Sequence, residues 1–392
     1  MKFLWCQPAR DAYKQVSIDD MFNPNYHISD MVINRSGNGN TVTRIYSTDN
    51  MTMRQIRQLN NVAMNLLGKL SAWKGKWGYL SECERASLYD HFVIPKAKGG
   101  VRPIDAPKDE LSTALYELKE LFETLGDDVA LNHTNAFAYI KNRSVRQAAE
   151  KHAYNKSNWF LKTDFSGFFP STTLDWMCEM ILYVYPFCTL KLIGREQALK
   201  SALELCMLNG GLPQGTPISP LLTNIMMIPI DHTLTARLRK MKDTYIYTRY
   251  ADDIFISSYI KFDKDEIIGV LKGVLDTYNA PFVLKPEKTR FVSGNNNNWI
   301  LGCLITKDHE ISIGRRKKED FKKLLHSYAN SKKTPEDRWS SEDLQYLLGL
   351  INWYLTVEPV GITKILDTKV QKYPWLKGSF IDNIINDIKG GK

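Results

Sequence analysis

Apolar residues recur along the chain at two periods, and the changes between them mark out the elements. Between Met51 and Leu70, the positions Ile56, Leu59, Val62, Ala63, Leu66 and Leu67 fall on one face of a helix, with Ser47, Thr48 and Asp49 before it as caps. The run HFVIPKAKGGVRPIDAP, residues 91–107, reads strand, turn, strand, with Lys98, Gly99 and Gly100 in the turn. Trp159, Phe160 and Leu161 build another strand that Asp164 closes, after which Phe168, Phe169 and Pro170 turn the chain into a helix capped by Ser171, Thr172 or Thr173. In YTRYADDIFISS, residues 247–258, β-branched and aromatic residues lead into and out of Asp252 and Asp253, which predicts a hairpin with both carboxylates at its turn. Helices alternate with short strands up to that hairpin, the pattern of a mixed α/β core.

After Gly302 the pattern becomes helical. Phe321, Leu324, Leu325 and Tyr328 fall at i, i+3, i+4 and i+7, and Arg315, Arg316, Lys317, Lys318, Lys322 and Lys323 crowd the same segment, which predicts an amphipathic helix with a basic exposed side. A second helix carries Leu344, Leu347, Leu348, Ile351 and Leu355 on one stripe. Residues 1–50 mix Asn, Ser, Gly and Asp with short apolar runs and read as an irregular extension, and Asn295 to Asn298 read as a loop between two strands. The expected division is therefore 1–50, a mixed domain over 51–299, and a helical subdomain with a short tail over 300–392.

Composition narrows the class of partner. With 392 residues and 43% hydrophobic content the chain can bury a core in two or three subdomains. Lys and Arg total 52 against 43 acidic residues, and the net charge of +9 favours a polyanionic partner. No apolar run approaches the roughly 18 residues of a membrane helix, and MKFLWCQPAR lacks a signal peptide's apolar core, so no membrane partner and a cytoplasmic location are expected. Six cysteines without C-x-x-C spacing suggest neither a zinc site nor a disulfide framework.

The acidic residues carry the chemistry. Two adjacent aspartates at a turn are ordinary turn chemistry, and Asp164 alone at a strand end says little. All three on adjacent strands are a different matter, because like charges gathered in one place repel unless divalent cations neutralise them. Two Mg²⁺ ions about 4 Å apart stabilise the attacking and leaving oxygens of an in-line phosphoryl displacement. One would activate a primer 3′-hydroxyl and the other would bind the triphosphate and the leaving pyrophosphate, with Asp164, Asp252 and Asp253 as ligands. Such a site needs nucleotide contacts. In GGLPQGTPISPLLTN, residues 210–224, Gly210, Gly211 and Gly215 let backbone approach a ligand, Pro213 and Pro217 stiffen the loop, and Gln214 offers an amide. Leu221, Leu222 and Ile225 of the helix that follows point inward. Lys96 and Arg102 are cations suited to triphosphate oxygens, one as a point charge and the other as a fork.

Seven runs, IPKAKGGVRPI, AYIKNRSV, LKTDFSGFFPS, LPQGTPISPLLTN, YADD, LKPEKT and ILG, occur in an order and spacing that resemble a bacterial reverse transcriptase of the retron and group II intron type, over roughly residues 55–365. The resemblance implies an α/β right-hand polymerase, with fingers, a palm built on a small antiparallel sheet, and a helical thumb. It implies RNA-directed DNA synthesis with two Mg²⁺ ions, Mn²⁺ substituting, and dNTPs as substrates. It assigns metal binding to Asp164, Asp252 and Asp253, triphosphate binding to Lys96 and Arg102, the nucleotide pocket to Gln214 and Gly215, and the primer grip to Ile300, Leu301 and Gly302. Phe169 falls where the family keeps the wall that excludes a ribose 2′-hydroxyl, and Lys288 is placed to protonate pyrophosphate.

The departures narrow the subgroup. Where retron enzymes share Asn-Ala-x-x-His and Val-Thr-Gly elements, this chain has Ala148-Ala149-Glu150-Lys151-His152 and Ile300-Leu301-Gly302. About thirty residues follow Pro359, too few for a group II maturase or endonuclease domain. The chain is thus similar to stand-alone, defence-associated bacterial reverse transcriptases, which implies a structured noncoding RNA as template and partner, a cDNA product, and a role against phage. Template-independent or protein-primed DNA synthesis, RNA synthesis, and an RNA-binding maturase-like scaffold are the competing expectations.

Overall fold

The computed structural model describes residues 31–34, 42–45, 53–96, 99–125, 131–293, 298–333 and 339–390. The proposed caps Ser47, Thr48 and Asp49, the turn residue Lys98 and the loop residues Asn295 to Asn297 lie outside the described residues.

Strands β1 (Met31–Asn34) and β2 (Val42–Ile45) pair antiparallel with Met31 opposite Ile45, so the region read as irregular contains a hairpin. Val32, Ile33, Val42, Thr43 and Ile45 supply its β-branched residues. Helix α1 (Met53–Trp77) runs past the predicted Leu70 because Trp73 and Trp77 continue its buried face. Strands β3 (Tyr89–Pro95) and β4 (Val101–Pro107) form the expected hairpin with Ile94 opposite Arg102, closed by the Lys96 amide donating to the Gly100 carbonyl at 2.9 Å. Helix α2 (Asp109–Leu125) follows and anchors α1, since the Trp73 indole donates to the Ala114 carbonyl at 2.9 Å.

Helix α3 (Val145–Tyr154) starts on a reciprocal capping box between Ser144 and Gln147. Strand β5 (Trp159–Ser166) runs two residues beyond Asp164, which therefore lies inside the strand and does not close it. The reason is tertiary: Phe165 and Ser166 pair with Leu284 and Val283 of β8, more than a hundred residues later. Of the three candidate caps, Thr173 is the one used, accepting from the Trp176 amide at 3.4 Å at the start of α4 (Leu174–Ile181). Helices α5 (Thr189–Leu192), α6 (Glu196–Glu204), α7 (Ser219–Met226) and α8 (Ile228–Met241) lead to the hairpin of β6 (Ile246–Tyr250) and β7 (Asp253–Ser258). After α9 (Lys264–Thr277), β8 (Val283–Leu284) joins a five-stranded sheet in the order β6-β7-β5-β8, whose fifth strand, β9 (Arg290–Ser293), pairs with β5. Then come the three-stranded meander β10 (Asn298–Ile300), β11 (Cys303–Ile305) and β12 (Ile311–Ser312), and the helices α10 (Arg315–Ser331), α11 (Ser341–Val357), α12 (Pro359–Val370) and α13 (Phe380–Gly390).

The chain forms two compact units, each built from separate stretches of sequence. One comprises residues 1–142, 161–256 and 262–290; the other comprises 143–160, 257–261 and 291–392. In the first, Phe282 meets Phe165, Phe168 and Trp176 at ring-centroid separations of 4.7, 5.1 and 5.3 Å, an aromatic core directly beneath the end of β5. In the second, Phe321, Leu325 and Tyr328 of α10 and Leu344, Leu347 and Ile351 of α11 are buried as expected. Leu348 and Leu355 are only half-buried there, and Tyr354 takes the inward position, edge-on to Phe321 at 5.2 Å. Among the described residues no helix is long and apolar enough to cross a membrane, and Cys83, Cys178, Cys188, Cys206 and Cys303 are free thiols.

Candidate active site

The hairpin turns at Ala251, whose φ of 55° is a left-handed conformation that a non-glycine residue adopts at a cost. Asp252 thereby occupies the turn and Asp253 opens β7. Across the sheet, the Phe165 amide donates to the Asp252 carbonyl at 3.2 Å, which sets the turn beside Asp164. The Asp252 carboxyl is raised above the usual carboxylate range, first by burial and then by the negative charge of Asp164, with Asp253 adding to it. The three aspartates singled out in the sequence thus share one electrostatic neighbourhood.

Lysines partly neutralise that charge. The Asp164 carboxylate, 6% exposed, is gripped by Lys285 Nζ at Oδ1 (2.7 Å) and by Lys288 Nζ at Oδ2 (2.5 Å). The Lys285 amide also donates to the Asp164 carbonyl at 2.9 Å. Lys288 is held more firmly protonated than an ordinary lysine, chiefly by its bond to Asp164. Lys162, two residues before Asp164 on β5, pairs with Asp253 Oδ1 at 2.9 Å. Of these three lysines the sequence reading singled out Lys288 alone, although Lys285 stands in the same LKPEKT run.

The donor set is three anionic oxygen groups, which suits a hard divalent cation. Among the described residues no group of three His, Cys, Asp or Glu side chains is arranged to hold a metal. The ammonium groups of Lys285 and Lys288 occupy both oxygens of Asp164, so a cation there requires these lysines to swing away. The residues fit the metal by charge and chemistry.

The expected nucleotide contacts assemble around the same unit. Phe168 is buried and Phe169 half-buried, edge-on to it at 5.6 Å. The Phe169 carbonyl accepts from the Leu212 amide at 3.0 Å, and a Cβ on Gly211 would collide with the Pro170 carbonyl. Gln214 accepts at its backbone carbonyl from the Asp105 amide at 2.7 Å. Gly215, at φ 122°, has no room for a side chain, since a Cβ would lie 2.7 Å from Ile104 Cγ2 and 2.9 Å from the Asp105 carbonyl oxygen. The 210–215 loop is therefore wedged between the Phe169 turn and β4. Asp105 also pairs with His91 Nδ1 at 2.8 Å, a bond that raises the imidazole's affinity for a proton. Lys96 and Arg102 are exposed on the β3–β4 hairpin. Tyr139, not singled out in the sequence, is 57% exposed at φ 60°. Partial desolvation and then the Asp252 charge raise its phenol, while Arg102 pulls it down, so Tyr139 sits among the candidate residues.

The remaining candidates belong to the second unit. Ile300 is buried, and Leu301 and Gly302, at φ 51° and 84°, form the two-residue turn between β10 and β11. Lys317 and Lys318, read as part of an exposed basic side, are half-buried and committed within the unit. Lys317 lies over the Trp299 ring at 4.6 Å. Lys318 pairs at 2.5 Å with Glu358, which also accepts from the Ser312 hydroxyl at 2.8 Å and the Ile313 amide at 3.0 Å. Lys322 and Lys323 reach Glu319 and Asp320 of their own helix at 2.9 and 3.4 Å, and Arg315 and Arg316 are exposed. His152 is wholly buried, within 2.6 Å of the Ser257 hydroxyl.

Residues 94–334, more than half of the chain, match the family described as reverse transcriptase (RNA-dependent DNA polymerase). The chain belongs to the reverse transcriptase family. Several of its curated relatives are retron reverse transcriptases. The reverse transcriptase of retron Ec73 from Escherichia coli is 28% identical over 291 residues, which cover 72% of this chain and 88% of the relative. That of retron Mx65 from Myxococcus xanthus is 25% identical over 283 residues, and there the match spans 62% of the relative's length. Among solved structures, this reverse transcriptase is similar to telomerase from Candida albicans in complex with a telomeric RNA fragment, at a TM-score of 0.42 and 14% identity, covering 75% of this chain and 58% of that one. The protein is a retron-like RNA-directed DNA polymerase of mixed α/β fold.

Proposed function

We propose that this reverse transcriptase copies a structured noncoding RNA into cDNA from dNTPs, in the cytoplasm, as part of a defence against phage. The observation that supports the catalytic part is the Phe165 amide bonded to the Asp252 carbonyl, which sets Asp164, inside β5, beside the β6–β7 turn that carries Asp252 and leads to Asp253. The RNA partner and the defence role rest on resemblance to the stand-alone bacterial groups, consistent with the net charge of +9.

On this reading the fingers and palm span 51–299 and the thumb follows. Asp164, Asp252 and Asp253 would hold two Mg²⁺ ions, or Mn²⁺ in their place, which when bound stabilise the attacking and leaving oxygens of nucleotidyl transfer. Lys288, protonated and already bonded to Asp164, is the proton source for the leaving pyrophosphate. Lys96 and Arg102 take triphosphate oxygens. Phe169, backed by the Leu212 bond, walls the pocket against a 2′-hydroxyl, and Gln214 and Gly215 line it. Ile300, Leu301 and Gly302 grip the primer, and Arg315 and Arg316 contact phosphate.

The test is to sequence nucleic acid that copurifies with wild type and with Asp252→Ala, with and without phage infection. A discrete cDNA complementary to one bound RNA, present in wild type and missing from the variant, is expected. Equal protection of cells by the two proteins would favour a scaffold instead.

A further inference from the structure

Behind the carboxylate turn lies a charged pair that the catalytic reading leaves without a role. Arg249 and Asp231 are both 0% exposed. The guanidinium donates from Nε to Oδ1 at 2.9 Å and from Nη2 to Oδ2 at 2.7 Å, and the Tyr247 hydroxyl donates to Oδ1 at 2.6 Å. Burial alone would weaken the hold of Arg249 on its proton, but the charge and hydrogen bonds of Asp231, with Tyr247 adding to them, together outweigh it. The two side chains form a closed ion pair.

The donors left over point at the backbone of the site. Arg249 Nη1 donates to the Ala251 carbonyl at 3.1 Å, and Nη2 reaches Asn224 Oδ1 at 3.4 Å. Asn224 in turn donates from Nδ2 to the Ala138 carbonyl at 2.8 Å. The Arg249 main chain is held on both sides as well, donating to Asn135 at 2.7 Å and accepting from Phe137 at 2.9 Å. The two carbonyls gripped by side chains bracket the two left-handed residues beside Asp252: Ala251 itself, at φ 55°, and Tyr139, at φ 60° and directly after Ala138. Such conformations persist only where the surroundings over-determine them. A buried ion pair is also a poor source of net stability, since well-packed apolar side chains of the same volume do as well or better.

We propose that the Asp231–Arg249 pair is a positioning device for the catalytic carboxylates. Arg249 fixes the Ala251 carbonyl, and with it the direction in which Asp252 leaves the turn. Through Asn224 it fixes the backbone at Tyr139. The pair touches neither substrate nor reacting atoms and acts through Ala251 and Asp252. It presents the carboxylates at a set spacing before any cation arrives, and so it rests on reading Asp164, Asp252 and Asp253 as the metal site.

Arg249→Lys tests this, because an ammonium can still pair with Asp231 but has no fork to reach the Ala251 carbonyl as well. Three readouts are needed: a thermal melt, steady-state dNTP incorporation, and Mn²⁺ binding followed by loss of the free-ion EPR signal. The variant should melt cooperatively, keep KM for dNTP within about 3-fold, and lose about 100-fold in kcat. Its Mn²⁺ affinity should fall by about 10-fold or more. The double variant Asp231→Asn with Arg249→Gln, which replaces the ion pair by an amide pair, should behave the same way. Wild-type kcat and Mn²⁺ binding in either folded variant overturns the proposal, and so does loss of the cooperative melt in both, which would make the pair a requirement of folding alone. Asp252→Asn run in parallel separates the two ideas. If it keeps wild-type Mn²⁺ binding and incorporation, the metal-site reading fails; if it loses both while Arg249→Lys is unaffected, only the positioning role fails.

Discussion

The Phe165 amide donates to the Asp252 carbonyl at 3.2 Å, so the residue after Asp164 is laced directly to the turn that carries the other two carboxylates. Such crowding is costly without a cation. Because the Asp252 carboxyl is raised in the fold, it ionises more readily in the unfolded chain. The fold therefore loses stability as pH rises from the unfolded value through the folded one, and bears the full penalty near neutral pH. Asp252→Asn removes it. In cation-free buffer that variant should melt above wild type; with Mg²⁺ present it should incorporate no dNTP, and Mg²⁺ should raise the melting temperature of wild type only. A variant that melts lower would give Asp252 a turn-forming role instead.

Phe168 and Phe169 should separate cleanly. Phe169→Ala should lower the ratio of dNTP to NTP incorporation, read as kcat/KM, by about 10- to 100-fold with little change in stability. Phe168 packs on Phe165 and Phe282 at 5.6 and 5.1 Å, so Phe168→Ala should instead destabilise the protein by about 3–5 kcal/mol. Unchanged sugar selectivity in Phe169→Ala would remove it from the pocket wall.

His152 predicts an acid sensitivity of the second unit. Burial, helped by the Lys151 charge, lowers its pKa from 6.5 to about 3. Below the ordinary value the unfolded chain takes up a proton that the fold does not, so stability is lost progressively as pH falls from 6.5 towards about 3. At about pH 5 the loss is about 2 kcal/mol. Urea titrations at about pH 7.5 and about pH 5 should show this difference in wild type and a smaller one in His152→Gln. Equal losses in the two proteins would mean that other groups carry the effect.

The basic helix α10 divides by the partners its side chains already have. Replacing Arg315 and Arg316 together by Ala should weaken RNA binding and reduce the slope of log affinity against log salt by about 1–2. Lys318→Ala should lower the melting temperature and leave that slope alone, because its ammonium is spent on Glu358. A salt-independent affinity in wild type would take the helix out of the RNA interface.

What could be read from the chain depended on how far apart the interacting residues lie. The β6–β7 hairpin is legible because its apolar flanks and acidic turn are contiguous, and α10 because its stripe repeats locally. The extent of β5 was hidden: Phe165 and Ser166 are strand because β8 arrives to pair with them. The hold of Lys285 on Asp164 was hidden for a similar reason, since nothing in LKPEKT says which lysine faces the sheet. Arg249 stood inside the YTRYADD run, and a charged residue in the middle of an apolar strand was a signal in itself. Its partner Asp231 lies on α8, and only the fold brings the two together.

Gly211 abuts the Pro170 carbonyl so closely that even a methyl group has no room, and the neighbouring Leu212 is tied to Phe169. The aromatic wall and the loop behind it are thus joined like a door and its frame. A small side chain introduced at position 211 acts as a wedge in that joint, shifting the ring from the rear. On the proposed reading, laboratory selection for enzymes that accept modified sugars gains a tuning point outside the pocket itself.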